Sequence, residues 1–478
     1  MTEEQANYWY PKEKGEQNEI LHQLQANVIH PSLLTKCIDK LPCIFKTLIF
    51  VGIFLKTLKM LFTPNMFTEY SLVHIFFTLF IFLLLISYLS YKKATTHNVY
   101  LYDFSIAEMD DKFKMPVEKC VDYAREQIGE ESYQFVNKLV KRTGLGQKTA
   151  YPDVFRYDHW QPRTMQLCRE EVYQVMENCC DKLFKQTQID PTKDIDCVIA
   201  NCSIFNPTPS MAAMIINKYK LKQTCKGYHL GGMGCSASII ACDMAVDYLY
   251  NNPNSTVLVF STETITDLTY GGKDRSKLMT YTLFRMGAAA ILLTNKKSLI
   301  SKSKYKFERA IRLHNAIEND AHNVIFYGED KEDNVGVTIG RTLIDHVSKL
   351  IKQNMQMLLP LSLRGIEKIK YSIMKMMGKD LSNYKFNVRK MFQGYCIHAG
   401  GRGVIDAVQK EFELTNEDCM SSRAGLCQFG NTSSPSIWYE LTFIERTNML
   451  KKGDKLLQMA FGSGIKANTC VWEKINDF

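Results

Sequence analysis

The sequence contains no Cys-x-x-Cys pair, although it has 15 cysteines in 478 residues. An odd number of cysteines, without the regular spacing of a disulfide framework, argues against a secreted domain held together by disulfide bonds. Cys179 and Cys180 are adjacent, and no His-x3-5-His run follows them, which argues against a zinc site. No block of Lys and Arg is interleaved with aromatic residues, so nucleic acid is not an expected partner. We therefore expect free thiols in a reducing compartment.

The composition is that of a globular chain, with 46% hydrophobic and 23% charged residues. These proportions exclude collagen-like and disordered chains, and the length suits about three structural units. The net charge of +9 suits phosphate-bearing ligands or an anionic membrane face, and equally an ordinary solvated surface. The first apolar run begins too far from Met1, and lacks the small-residue site, to be a cleaved signal peptide.

Two apolar stretches near the N-terminus predict a membrane anchor over residues 44–90. Residues 71–90 are long enough to cross about 30 Å of hydrocarbon and predict a transmembrane helix. Residues 41–62 are interrupted by three lysines, so they either cross the membrane or lie in its interface. Lysines precede the first stretch and follow the second. By the positive-inside rule, residues 1–43 and the part of the chain after residue 90 are therefore expected in the cytosol.

From about Tyr100 onward, β-rich apolar runs alternate with helical patterns, which predicts an α/β fold with a largely buried sheet. The region from Asp330 to Met377 is less regular and rich in methionine. Methionine adapts to irregular apolar shapes, so this region could form the wall of an acyl-chain tunnel, a membrane-docking face or ordinary core.

The sharpest local signal is the Gly-rich run Leu230 to Ser238, which contains Cys235 and leads into an amphipathic helical pattern. A cysteine at a helix entrance faces unpaired N–H groups and the positive end of the helix dipole, which favour a thiolate of lowered pKa. A nucleophilic cysteine is one interpretation of this run. A hydrolase-type nucleophile elbow and a structural buried cysteine are the others.

Two further polar residues stand beside glycines at predicted element boundaries. His398 closes a β-type run before a Gly-rich turn, where α/β folds place ligand-facing side chains. Asn431 follows 33 residues later, before Ser434 and Pro435, which read as the N-cap and first residue of a helix. Taken singly, each has a structural explanation; the order Cys, His, Asn favours a joint catalytic role.

The sequence resembles the membrane-bound 3-ketoacyl-CoA synthases, the plant-type condensing enzymes within the thiolase superfamily. The resemblance covers about Val99 to Trp472 and lies in these motifs: NCSIFNPTPSM (201–211), GGMGCSA (231–237), DRSKLM and LFRMGAAA (274–290), CIHAGGRGVID (396–406), FGNTSSPSIWYEL (429–441) and FGSGIKAN (461–468). It implies a thiolase-like fold of two similar α/β halves, residues 91–300 and 301–478, with a helical transmembrane anchor before them. It further implies a homodimer that needs no metal ion and no redox cofactor.

The resemblance implies that Cys235 is the nucleophile, with His398 and Asn431 as its catalytic partners. A long-chain acyl-CoA would acylate Cys235, and malonyl-CoA would then lose CO2 while His398 and Asn431 stabilise the enolate. Gly234, Gly462, Ser463 and Gly464 would bind substrate and hold the acyl oxyanion through backbone N–H groups. The product is a 3-ketoacyl-CoA of fatty-acid elongation. The implied location is the endoplasmic reticulum membrane, with an elongase reductase and dehydratase as partners.

Several departures and alternatives stay open at this stage. Ser238 stands where the family often has glycine and could alter the width of the pocket. A polyketide-type synthase of the same superfamily and a cysteine-based acyl hydrolase are competing enzymes. A non-catalytic membrane scaffold that binds acyl-CoA is the competing hypothesis from another class.

Overall fold

The structure, a computed structural model, describes residues 79–83, 98–156, 162–381 and 384–477. The chain divides into two compact units. Of the described residues, the first unit contains those within 99–361 and 386–477, and the second contains 79–83, 98, 362–381, 384 and 385. The predicted span 41–62 lies outside the described residues, as does all of 71–90 except the helical residues 79–83. Within the described part of the chain, no helix is both long and apolar enough to cross a bilayer.

The first unit is built on a nine-stranded sheet in the order β11-β12-β13-β8-β1-β7-β6-β4-β5. Its strands are β1 (Tyr100–Ile106), β4 (Cys197–Asn201), β5 (Lys226–Leu230), β6 (Thr256–Glu263), β7 (Gly287–Thr294), β8 (Tyr305–His314), β11 (Gly394–Ile397), β12 (Lys455–Gly462) and β13 (Lys466–Lys474). Two small antiparallel pairs lie outside it: β2 (Lys114–Met115) with β3 (Thr149–Ala150), and β9 (Ile325–Glu329) with β10 (Val335–Ile339).

The strand pairing repeats along the sheet. Strands β1, β7 and β6 pair antiparallel in turn, and β6 then pairs parallel with β4. Strands β8, β13 and β12 likewise pair antiparallel in turn, and β12 then pairs parallel with β11. The two sets meet where Tyr100 and Leu101 pair with Lys306 and Tyr305. The α/β fold is confirmed, and the repeated pairing is that of two similar halves, while their boundary at residue 300 stays a prediction.

Helices of the first unit cover both faces of this sheet. Numbered from residue 98 onward, the helices of the described chain are α1 (Val117–Val140), α2 (Met165–Thr187), α3 (Pro191–Asp194), α4 (Met211–Tyr219), α5 (Ala237–Asn251), α6 (Arg275–Leu283), α7 (Lys297–Ile300), α8 (Asn319–Asn323), α9 (Leu343–Ser362), α10 (Gly365–Met376), α11 (Val388–Met391), α12 (Arg402–Glu411), α13 (Met420–Phe429) and α14 (Ser436–Arg446). Helix α10 belongs to the second unit. One apolar core holds α1, α2 and α4 against the sheet, and a second holds α5 and α14.

The helix that follows Asn431 begins differently from the sequence prediction. Ser434 does not cap α14, whose N-cap is Pro435. The Ser434 hydroxyl instead lies 2.7 Å from Asn201 Oδ1 and 2.8 Å from Ser261 Oγ, in a fully buried polar group. Because a buried hydroxyl must be paired, this tertiary contact outweighs the local preference for capping.

The methionine-rich region has both buried and exposed side chains. Met355 is buried in α9, whereas Met357, Met376 and Met377 are exposed. None of the region's methionines lines the cavity described below. Met355 therefore packs in the core and the other three add exposed apolar surface, while the tunnel-wall interpretation stays a prediction.

Candidate active site

A mainly apolar cavity of about 440 Å³ opens beside Cys235 in the first unit. The hairpin of β9 and β10 forms one wall with Ile325, Phe326, Tyr327 and Val337. Its other lining residues are Ser203, Ile204, Gly232, Gly234, Cys235, Glu263, Leu268, Phe284, Ala316, His322, Ser433, Ser463, Gly464 and Lys466. The mainly apolar lining suits a ligand with a large apolar part, and the Cys235 thiol lies at the edge of that space.

Cys235 lies where the sequence predicted it, at the entrance to a helix. The tight turn Gly234–Ser236 runs directly into α5. Gly234 has a φ of +69°, and a Cβ added to it would stand 2.3 Å from the backbone N of Ser463. Only glycine permits so close an approach in this backbone conformation. Residues 462–464, the end of β12 and the start of its turn into β13, are therefore packed against the turn Gly234–Ser236. These two segments are called the loop 462–464 and the nucleophile turn below.

The ionisation of Cys235 differs from the sequence prediction. The pKa of its thiol is raised to about 12, mainly by burial; a hydrogen bond from Ser433 lowers it in part, and the nearby Glu263 charge adds to the rise. The helix dipole does not outweigh the loss of solvation in this enclosed position. The resting residue is a thiol, so nucleophilic attack requires a proton acceptor.

His398 follows β11 and is buried. Its backbone N–H donates to the Met459 carbonyl at 2.9 Å, which holds the residue beside β12. Its Nδ1 lies 2.7 Å from Ser436 Oγ, at the start of α14. Burial lowers its pKa to about 4, so the imidazole is neutral near pH 7. In the tautomer in which Ser436 donates to Nδ1, the proton lies on Nε2, which then acts as a donor.

Asn431 is held on both sides by backbone hydrogen bonds. Its N–H donates to the Leu283 carbonyl, and its own carbonyl accepts from the Arg285 N–H. Its side-chain Oδ1 accepts from the Ser433 N–H at 2.8 Å, and its Nδ2 donates to the Gly400 carbonyl at 3.2 Å. The second Nδ2 proton has no partner among the described residues, so it remains available to a substrate.

These contacts connect the three residues predicted from the sequence. Ser433 Oγ lies 3.5 Å from Cys235 Sγ, and the next link runs from Ser433 to Asn431. Asn431 in turn binds Gly400, which lies so close to His398 that a Cβ would stand 2.9 Å from its Nε2. The structure therefore brings Cys235, His398 and Asn431 into one continuous network.

The predicted substrate-binding glycines and serine also gather here. Gly234, Ser463 and Gly464 line the cavity together with Cys235. Gly462 is not a lining residue, but it packs on the nucleophile turn, since a Cβ on it would stand 2.7 Å from Ser236 Oγ. His398 and Asn431 do not line the cavity; Asn431 contacts the lining residue Ser433, and His398 lies against Gly400, which Asn431 also contacts.

Two residues of the cavity lining were missed at the level of sequence, Glu263 and Ser433. Glu263 ends the otherwise uncharged strand β6, is 3% exposed and lines the cavity. Its Oε2 lies 3.1 Å from Ser433 Oγ. A carboxyl group that ends a buried strand is a signal that could have been read from the sequence, because such groups are costly unless they serve a purpose.

Ser238 does not shape the pocket, contrary to the sequence prediction. Its hydroxyl accepts a hydrogen bond of 2.6 Å from the Trp438 indole, and both side chains are fully buried. The pair joins α5 to α14, the two central helices of the site. The added hydroxyl therefore satisfies a buried donor rather than narrowing the cavity.

Comparison with known proteins places this site in a family. Residues 91–381 match the model of the FAE1/Type III polyketide synthase-like proteins, and residues 390–474 match that of the 3-oxoacyl-[acyl-carrier-protein] synthase III C-terminal region. The chain is 39% identical over 412 residues to 3-ketoacyl-CoA synthase 5 of Arabidopsis thaliana, covering 85% of this chain and 83% of the relative. This chain belongs to the FAE1/Type III polyketide synthase-like family. The resemblance read from the motifs is thereby confirmed.

Solved structures show the same fold at lower identity. A type III pentaketide synthase of Neurospora crassa aligns with a TM-score of 0.62 and 15% identity, covering 79% of this chain and 99% of its own. CsyB, solved with CoA-SH, aligns with a TM-score of 0.64 and 17% identity, covering 79% and 100%. The family member described here therefore has the thiolase-like α/β fold of those synthases, as the sequence predicted.

Proposed function

We propose that this chain is a 3-ketoacyl-CoA synthase of fatty-acid elongation. It condenses a long-chain acyl-CoA with malonyl-CoA by a decarboxylative Claisen reaction, giving a 3-ketoacyl-CoA, CO2 and CoA. One observation carries the proposal: Cys235 stands at a helix entrance on the edge of a mainly apolar cavity, in a chain whose curated relatives are named 3-ketoacyl-CoA synthases.

In the first step, Cys235 accepts the acyl group. The hydrocarbon chain lies in the cavity against the β9–β10 hairpin, where each buried methylene contributes about 0.8 kcal/mol. The backbone N–H groups of Cys235 and of the loop 462–464 stabilise the oxyanion of the tetrahedral intermediate. The close packing of Gly234 on Ser463 supports this role, because it brings both sets of N–H groups to one place.

In the second step, malonyl-CoA loses CO2 to form an enolate. Nε2–H of the neutral His398 and the second N–H of Asn431 donate to the thioester oxygen on which negative charge develops. The enolate carbon attacks the acyl carbon on Cys235, and the Cys235 thiolate leaves and takes a proton from solvent. Both steps use side chains and the thioesters of the two substrates, so the proposed reaction requires neither a metal ion nor a redox cofactor.

We infer that the chain acts at the cytosolic face of the endoplasmic reticulum membrane. The apolar runs 41–62 and 71–90 support an anchor, and α10 adds an exposed apolar face beside positive charge. That face consists of Ile366, Ile369, Ile373 and Met376, and the helix carries Lys368, Lys370 and Lys375. An amphipathic basic helix binds the interface of an anionic bilayer. Flotation with anionic vesicles tests this, since Ile369→Glu with Ile373→Glu should weaken binding relative to the unchanged chain.

The remaining partners follow from the reaction. A 3-ketoacyl-CoA needs a reductase and a dehydratase before the chain can be lengthened again, so both are proposed elongase partners. The thiolase-like fold favours a homodimer. Crosslinking of the full-length chain in membranes tests that state.

Product analysis in membranes tests the proposed function. Membranes containing the full-length chain are given labelled malonyl-CoA and a panel of acyl-CoA primers of increasing length. We expect 3-ketoacyl-CoA products two carbons longer than the primer, and none from Cys235→Ala. Products from several successive extensions would favour a polyketide-type synthase, and free fatty acid would favour a hydrolase. Elongation that survives in Cys235→Ala would favour a scaffold and overturn the proposal.

A further inference from the structure

The hairpin of β9 and β10 forms a wall of the cavity but does not belong to the nine-stranded sheet. Its strands pair antiparallel, with Tyr327 opposite Val337 and Gly328 opposite Gly336. Tyr327 and Val337 line the cavity, and the two glycines form the next pair along the ladder, about 3.3 Å away. Because no described strand of the main sheet pairs with the hairpin, other contacts must fix the position of this wall.

Lys277 of α6 provides one of these contacts. Its side chain is 3% exposed, and its ammonium nitrogen donates to the carbonyls of Gly328 at 2.6 Å and Gly336 at 2.9 Å. One side chain therefore joins both strands of the hairpin to α6, at the pair next to the cavity wall. Hydrogen bonds from a charged donor are roughly twice as strong as those between neutral groups.

The burial of this lysine is costly, which indicates a specific use. Burial lowers the pKa of Lys277, because the ammonium group loses its solvation there. The charges of Asp274, Asp330 and Glu329 oppose this shift, but none of the carboxylates that the structure describes forms an ion pair with Lys277. An apolar side chain of similar length would fill the same space without that cost. The two hydrogen bonds to the hairpin are what the charged group adds at this position.

A second contact comes from Tyr270, which is fully buried. Its ring packs on the backbone of Gly336, where an added Cβ would stand 2.7 Å from the ring carbon Cδ2. Its hydroxyl donates to Asp330 Oδ2, at the start of the turn between β9 and β10. Tyr270 and Lys277, called the hairpin anchor below, therefore hold both the turn and the strands of the hairpin.

Helix α6 also supports one of the predicted catalytic residues. The carbonyl of Leu283, the last residue of α6, accepts the Asn431 N–H at 3.1 Å. The next residue, Phe284, lines the cavity and forms a backbone bridge with Asn431. A helix of 9 residues is a rigid spacer of about 14 Å. The same helix therefore fixes the cavity wall at one end and the support of Asn431 at the other.

We propose that Lys277, together with Tyr270, is a positioning residue that sets the longest acyl chain the cavity accepts. The inference rests on the proposed function and deepens it, because it assigns chain-length selection to a residue that does not line the cavity. A primer that is too long must push the wall outward, and that movement breaks the hydrogen bonds of the hairpin anchor. Primers that fit leave the wall in place, so the anchor acts only against the longer ones.

The test compares the loading of acyl chains of different length. Labelled acyl-CoA primers of increasing length are mixed with the full-length chain in detergent, without malonyl-CoA, and the second-order rate constant of labelling is measured for each. The readout is the ratio of this constant between the longest primer that loads readily and the shortest one that loads poorly. We expect Lys277→Met, which keeps a similar volume, to reduce the ratio at least about tenfold by raising the rate of the longer primer. Tyr270→Phe, which removes only the hydroxyl, should reduce it about threefold.

The matched control is Asn295→Leu. Asn295 is also buried and donates to two backbone carbonyls, those of Leu249 at 2.6 Å and Asn252 at 3.0 Å. These partners lie at the end of α5 opposite to Cys235, and Asn295 does not line the cavity. This variant should lower the melting temperature and leave the ratio unchanged. If Lys277→Met also lowers the melting temperature without changing the ratio, the lysine is purely structural and the proposal is overturned.

The other outcomes are equally decisive. A higher ratio in Lys277→Met would mean that the released wall closes the cavity, which would also overturn the proposal. If Lys277→Met does not fold, Tyr270→Phe decides, and an unchanged ratio in that variant would have the same effect. Absence of labelling of the native chain by every primer would instead overturn the proposed function, and the inference with it. The native chain therefore distinguishes the two failures.

Discussion

The packing of the loop 462–464 on the nucleophile turn allows a test with two glycines. Gly234 and Gly232 have nearly the same strained φ, +69° and +66°. A methyl group on Gly234 would stand 2.3 Å from Ser463 N and 2.9 Å from Gly462 Cα, whereas one on Gly232 would have nothing within 4 Å. Both alanine variants therefore carry the same backbone cost, on the order of 1–2 kcal/mol. Only Gly234→Ala also displaces the loop.

The size of the displacement sets the expected effect. Restoring ordinary contact at Ser463 N requires a shift of about 1 Å, and a misplacement of that size costs on the order of 100-fold in rate. We expect Gly234→Ala to load Cys235 at least about tenfold more slowly than Gly232→Ala. Its melting temperature should also fall further, because the clash with the loop adds a packing cost to the shared backbone cost. The assay is single-turnover labelling with acyl-CoA at pH 7. Equal rates in the two variants would refute the oxyanion role of the loop.

Three further predictions follow from single contacts. Val337→Phe should shorten the longest accepted primer and lower kcat/KM about fourfold for each methylene that it excludes from the cavity. Val335→Phe lies outside the cavity lining and should leave the accepted length unchanged. Assays with acyl-CoA primers of increasing length measure both effects. Ser436→Ala frees Nδ1 of His398 and should slow malonyl-CoA decarboxylation about tenfold while acyl loading is retained; 14CO2 release measures it. Burial raises the pKa of Glu171 from 4.5 to about 7. The stability that the protonated Glu171 contributes is therefore complete below pH 4.5 and is lost as the pH rises through 7. Thermal unfolding at several pH values should show about 3 kcal/mol of this pH dependence in the native chain and none of it in Glu171→Gln.

Local patterns predicted the elements of the site better than its tertiary contacts. The Gly-rich run before an amphipathic pattern placed Cys235 at the start of α5, and the strand-then-glycine pattern placed His398 after β11. Both depend on neighbours in the chain. The Ser433 contacts join residues 170 and 198 positions apart, which no local pattern specifies.

The wrong predictions have the same physical origin. A helix entrance favours a thiolate, but the enclosure of Cys235 by distant segments removes solvent and raises its pKa instead. Serine commonly caps helices, but Ser434 is buried against Asn201 and its hydroxyl binds Asn201 Oδ1 instead of a helix N–H group. In each case, desolvation by tertiary packing outweighed a local preference worth about 1 kcal/mol.

The covalent state of Cys235 is the most direct test of the mechanism. The full-length chain is incubated with one acyl-CoA, digested and analysed by mass spectrometry, before and after a chase with malonyl-CoA. We expect the acyl mass on the peptide that contains Cys235, and its transfer after the chase into a 3-ketoacyl-CoA two carbons longer. An acyl group on a different residue, or one on Cys235 that malonyl-CoA fails to remove, would contradict the account.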